Sequence, residues 1–192
     1  MEKKNEYHIY LAWPRYLAQW YAHEMHRMAH SDCETEPAYR YDCDVAATDL
    51  EAVHTRRGSL QRAILEMCLQ KPETAADSLP EKDATICIAL PHFLNKPPET
   101  YNCLRKVGKR LLLESVRNHF KIELGRFMGK MTGDIITRSK SSVMFESMTE
   151  AFMAQNGIEA TETNCLAVKK TWYRIYKTQK QKEARKRKDD RQ

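Results

Sequence analysis

Long apolar runs are missing from this sequence. None approaches the roughly 20 residues that a bilayer-crossing helix requires, which argues against a membrane protein. Near the N-terminus, Lys3 and Lys4 precede a short apolar stretch broken by Pro14 and Arg15, too short and too polar for a secretory signal. Paired cysteines are missing too. Cys33, Cys43, Cys68, Cys87, Cys103 and Cys165 are scattered with no C-x-x-C, which suits a reducing compartment where each thiol acts as a small hydrophobe. The expected location is cytoplasmic, or nuclear if the source is eukaryotic. The sequence also lacks a glycine-rich phosphate loop, a G-x-S-x-G elbow and a tight His/Asp/Ser grouping, so the common phosphate-cradling and nucleophilic motifs find no match.

What the chain does have is a local excess of positive charge. Residues 166–192 carry 11 Lys and Arg against 3 acidic residues, a net +8, whereas the whole chain is only +6. The remainder is therefore slightly negative, and the basic segment stands out as the kind of patch that attracts a phosphate backbone. A hydrophobic content of 42% with 17 aromatic residues is enough for one ordinary core or two small lobes. The mean hydropathy of −0.70 points to a long polar surface and a solvated tail.

Hydrophobic periodicity predicts an α+β fold. It consists of a small mixed N-terminal lobe over residues 1–94, a predominantly helical half over 95–180 and a disordered basic tail over 181–192. Ile9–Leu17 resembles Ile86–Leu94, 77 positions later, and each is a β-type run halted by proline. Two strands of one sheet are the simplest meaning, and a duplication the sharper one. Tyr39–Val45 alternates with period two and is a candidate third strand. Helices are predicted near 15–29 and 59–70; Ser59 would cap the second, with Leu60, Ile64, Met67 and Cys68 as its buried stripe. Past Pro91, Pro97 and Pro98 the spacing turns helical, through Tyr101, Leu104, Val107, Leu111, Leu112, Ser115 and Val116. It resumes at Ile122, Leu124, Phe127 and Met128, where Gly125, Gly129 and Gly133 weaken it. A helix over 141–155 would bury Met144, Phe145, Met148, Ala151 and Phe152 and stop at Asn156-Gly157. Thr161 or Thr163 would then cap the last helix.

These last two helices have the outline of a helix-turn-helix, in which a glycine opens the turn, an apolar residue (Ile158) plugs it and the second helix enters the major groove. The link is longer than usual, and Met153 is bulky where a small residue normally sits, so a plain helical hairpin fits equally. On the final helix Leu166, Tyr173 and Tyr176 have spacing suited to burial. Lys169, Lys170, Arg174 and Lys177 are candidate phosphate contacts, and Asn164 near the helix start is a candidate reader of base edges. Lys180, Lys182, Arg185, Lys186, Arg187 and Lys188 extend the basic run, which also suits a nuclear-localisation signal. A second basic group, Arg105, Lys106, Lys109, Arg110, Arg117 and Lys121, would add to this surface or form the wet face of an ordinary helix.

Two other constellations have weaker claims. His23, His26 and His30 fall within about 60° on a helix and are followed by Cys33, a zinc-like set, although they point away from Leu17, Trp20, Tyr21 and Met28 and read first as surface histidines. Asp42 with Asp44, or Asp32 with Glu34 and Glu36, are the paired carboxylates that a metal-dependent nuclease would need. The combined expectation is a non-catalytic nucleic-acid-binding protein, regulatory or accessory, with DNA the favoured partner over RNA and no cofactor. A second copy of the chain is a further candidate partner. A protein-assembly scaffold with a solvated basic tail is the alternative, and a metal-dependent nucleic-acid enzyme the remaining one.

Overall fold

The computed structural model describes residues 7–30, 39–74, 79–81, 83–135 and 142–189, the side chains at 130–135, 142–144, 179, 183 and 186–189 excepted. In chain order the elements are β1 (His8–Leu11), α1 (Arg15–Ala29), β2 (Ala52–His54), α2 (Leu60–Cys68), β3 (Leu69–Gln70), β4 (Ile86–Ala89), β5 (Cys103–Leu104), α3 (Lys106–Ile135), α4 (Ser142–Gln155) and α5 (Glu162–Asp189), with one 3-10 turn at Ala47–Asp49. The α+β class is as expected, with helices filling the C-terminal half.

The chain divides into two units, residues 1–118 and 119–192. The prolines at 91, 97 and 98 do not mark the division, because the chain after them returns to the first unit: Cys103–Leu104 pairs antiparallel with Leu69–Gln70. The division falls inside α3 instead.

In the first unit, the main sheet has the order β1-β4-β2. β4 lies in the middle, antiparallel to β1 and parallel to β2. All four of its residues are buried, which is why Ile86–Ala89 reads as an unbroken apolar run rather than an alternation. The two similar segments are indeed neighbouring strands, with Ile9 opposite Ile88. They part at their prolines. The Pro14 carbonyl accepts the first bonds of α1, from the N–H groups of Leu17 and Ala18, whereas Pro91 leads to a turn closed by a Phe93–Lys96 bridge. The likeness ends with the strands, which leaves duplication without structural support.

Residues 39–45 alternate in burial as the sequence suggests, with Tyr41 and Cys43 inside, but they form no strand. One phenol does the work of a ladder. The Tyr41 hydroxyl accepts from the Cys87 N–H at 3.1 Å and donates to the Glu51 carbonyl at 3.0 Å, tying this segment to β4 and to the approach to β2. Ser59 caps α2 as expected, accepting from the Arg62 N–H at 3.2 Å. The buried row of α2 differs from the expected one: Gln61 and Leu65, four apart, carry the burial with Ile64, leaving Leu60 and Met67 exposed. The end of α2 lies close to the start of α3 at Gly108, where an added Cβ would stand 2.5 Å from Cys68 Cβ. Lys96 Nζ closes the end of α2 by donating to the carbonyls of Met67 and Leu69 at 3.0 and 2.8 Å.

Along α3 the buried row is Leu112, Val116, Phe120, Leu124 and Met128, a strict i+4 series. Four of these, Leu112, Val116, Leu124 and Met128, belong to the predicted stripe and Phe120 completes the row, whereas Leu104 lies in β5 and Val107, Leu111 and Ile122 are exposed. The helix runs unbroken through Gly125, Gly129 and Gly133. In the second unit Phe152 of α4 meets the rings of Phe120 and Phe127 edge-on, with centroids 5.7 and 5.3 Å away. Met148, Phe152 and Met153 are buried on α4, while Phe145 and Ala151 are exposed. Met144 has no described side chain.

Candidate nucleic-acid interface

The turn that launches α5 is built from local bonds. Gly157 adopts φ +63°, and the Ile158 N–H reaches back to the Met153 carbonyl at 2.9 Å, the long bond of a Schellman ending. Ile158 and Met153 are both buried, which supplies the apolar contact that accompanies this motif. Thr161 is the cap of α5: its hydroxyl accepts from the Asn164 N–H at 3.2 Å. Met153, large where a helix-turn-helix prefers a small residue, lies with its sulfur 3.7 Å from Cys165 Sγ.

The buried side of α5 is Asn164, Val168 and Trp172, with Ile175 partly covered. That corrects the expected face. Leu166 and Tyr173 are 46% and 70% exposed, and Tyr176 is also exposed. At about 100° per residue, Leu166, Lys170, Tyr173 and Lys177 project opposite the Val168–Trp172 side. Apolar and basic residues thus share the outward face, a mixture that the spacing of tyrosine alone did not reveal.

The predicted contacts fall into four groups. Asn164 drops out of the base-reading role, because it is only 3% exposed and its amide donates to the Glu159 carbonyl at 3.0 Å, stabilising the turn. Lys169 is partly covered and paired with Glu146 of α4 at 2.9 Å. Lys170, Arg174, Lys177, Lys180, Lys182 and Arg185 are exposed, and the Lys180 ammonium lies 4.9 Å from the centre of the Tyr176 ring. Lys186, Arg187 and Lys188 belong to the helical backbone, with side chains outside the described set. Residues 181–189 are helical rather than disordered, consistent with a composition of strong helix formers.

Three of the six residues of the second basic group are engaged elsewhere. Lys109 pairs with Glu81 at 2.6 Å, Arg105 Nε donates to Gln70 Oε1 at 2.8 Å and Arg117 pairs with Glu114 at 2.7 Å. Of the zinc-like set, Cys33 lies outside the described residues, and among those described no three potential ligands converge. His30 is exposed as expected, while His23 and His26 are partly covered. The His26 ring is stacked between His30 and Tyr39, with centroids 4.2 and 4.0 Å away. His23 is half-buried, and that burial, reinforced by the Arg27 cation, holds its imidazole below the usual pKa. Asp42 accepts from the Asp44 N–H at 2.8 Å, and Asp44 pairs with Arg15, so each carboxylate has a structural partner. Asp32, Glu34 and Glu36 lie outside the described residues.

No family model matches the sequence, and neither a curated protein nor a solved structure shows significant similarity to it. Among the described residues, no helix is long and apolar enough to cross a membrane.

Proposed function

We propose that this chain is a non-catalytic nucleic-acid-binding protein, accessory or regulatory in role, which meets its partner through the outward face of α5. The observation that carries the reading is the exposure together on one helix of Lys170, Arg174 and Lys177, away from the buried Asn164, Val168 and Trp172, and of Lys180, Lys182 and Arg185, where the helix has no buried side among the described residues. Cations so placed neutralise phosphates and release counterions, giving binding that is tolerant of sequence and sensitive to salt. DNA remains the favoured partner. With Asn164 buried, the case for a base-reading helix-turn-helix weakens and that for backbone contact strengthens. Anisotropy of labelled DNA against the full chain, at about 50 and 200 mM salt, tests this. A steep fall in affinity with salt supports it; no binding at the lower salt rejects it.

The assembly alternative has its own support. Leu60, Met67 and Leu94 are large apolar side chains left exposed on the first unit. If DNA and RNA both fail to bind, light scattering and crosslinking of the full chain are the measurements that bear on a protein partner.

A further inference from the structure

Resting on that reading, we propose that the outward face of α5 takes single-stranded nucleic acid, with Tyr173 as a stacking platform for a base and Lys170, Arg174 and Lys177 holding the flanking phosphates. Phosphate attraction alone gives an exposed aromatic nothing to do, since cations suffice for it. Tyr173 is nevertheless 70% exposed in the middle of the basic face. Among the described residues it has no hydrogen bond, ring contact or cation over its ring. Tyr176 differs, having the Lys180 ammonium above it and Trp172 beside it, with ring centroids 6.2 Å apart.

The order of residues favours the same partner. Leu166, Lys170, Tyr173 and Lys177 succeed one another at i, i+4, i+7 and i+11, a row about 16 Å long in which apolar and cationic side chains alternate. A single strand offers the matching alternation of flat base and charged phosphate. In a duplex the base faces are stacked inside, and a tyrosine ring reaches only their edges. Charge complementarity therefore selects a polyanion, and the free ring selects one whose bases are open.

The test uses the full chain and three labelled probes: a short oligothymidine, a strand of the same length made of abasic sites, and the matching duplex. The expected result is that oligothymidine binds about tenfold more tightly than the abasic strand. Tyr173→Leu should erase that preference and leave duplex binding in place, whereas Tyr173→Phe should keep it. Because residue 173 is exposed, both variants should retain the circular dichroism of the parent. Equal binding of the two strands, or an unchanged preference in Tyr173→Leu, would overturn the stacking proposal while leaving the phosphate reading intact. Failure of all three probes to bind at low salt would remove both.

Discussion

Replacing Gly108 with alanine should destabilise the first unit by up to about 2 kcal/mol, although alanine is the better helix former. The added Cβ would stand 2.5 Å from Cys68 Cβ and 2.9 Å from Leu104 Cδ1, where carbon atoms normally rest at about 3.5–4.0 Å. Leu104 can turn a methyl away, but Cys68 Cβ is fixed to its backbone, so the end of α2 or the start of α3 must shift. Overpacking of this kind costs about 1–3 kcal/mol, and the better propensity of alanine offsets about 1 kcal/mol of it. Two other glycines of the same helix serve as controls. Among the described residues, the nearest atom to a Cβ added at Gly125 is Ile175 Cγ2 at 3.9 Å, and at Gly129 nothing lies within 4 Å. Gly125→Ala and Gly129→Ala should therefore stabilise by about 0.5–1 kcal/mol. Urea titrations followed by fluorescence would measure all three, with Trp13 and Trp20 reporting on the first unit and Trp172 on the second. If Gly108→Ala raised the midpoint as Gly129→Ala is expected to do, the close approach of α2 and α3 would be wrong.

Three more perturbations probe other joints. Tyr41→Phe should cost about 1–3 kcal/mol in a denaturant melt, because it leaves the buried Cys87 N–H without its acceptor; an unchanged midpoint would mean that the hydroxyl does not hold the segment to β4. Thr161→Ala should cost about 1 kcal/mol, and Thr161→Ser should restore it, as read from the melt of α-helical circular dichroism. His23 supplies a pH test. Its folded pKa lies below the unfolded value near 6.5, so the unfolded chain takes up the proton first and stability is lost as pH falls from about 6.5 through the folded pKa. His23→Gln should flatten that part of the stability–pH curve, and an unaltered slope would assign the effect to another group.

Much of this fold could be read from residue order. Helix α1 follows the predicted 15–29, and Ser59, Asn156-Gly157 and Thr161 mark helix ends through short-range bonds that each local sequence specifies. The misses arose where distant partners decide. β3 and β5 are two residues each, too short for any period to show, and exist because they pair with each other. Tyr39–Val45 has the alternation of a strand, yet a hydroxyl bond to a residue 46 positions away replaces the ladder. On α5 both faces contain residues at helical spacing, so the spacing of Leu166, Tyr173 and Tyr176 does not by itself mark the inner face. The true inner face includes an asparagine, whose buried amide donates to the Glu159 carbonyl. The basic residues of the candidate interface were legible from composition. The tyrosine among them was legible as a residue but not as a surface one.

The sheet order has a consequence for how the two units form. Among the described residues β1 pairs with β4 alone, so His8 must wait for Ala89 before the sheet can close. Helices α4 and α5, by contrast, are joined by a short turn whose bonds are all local. Loop-closure entropy therefore makes the N-terminal sheet the slow step and the helical hairpin the fast one. Until β4 is made, Ile9 and Leu11, buried in the finished sheet, have no partner strand to cover them.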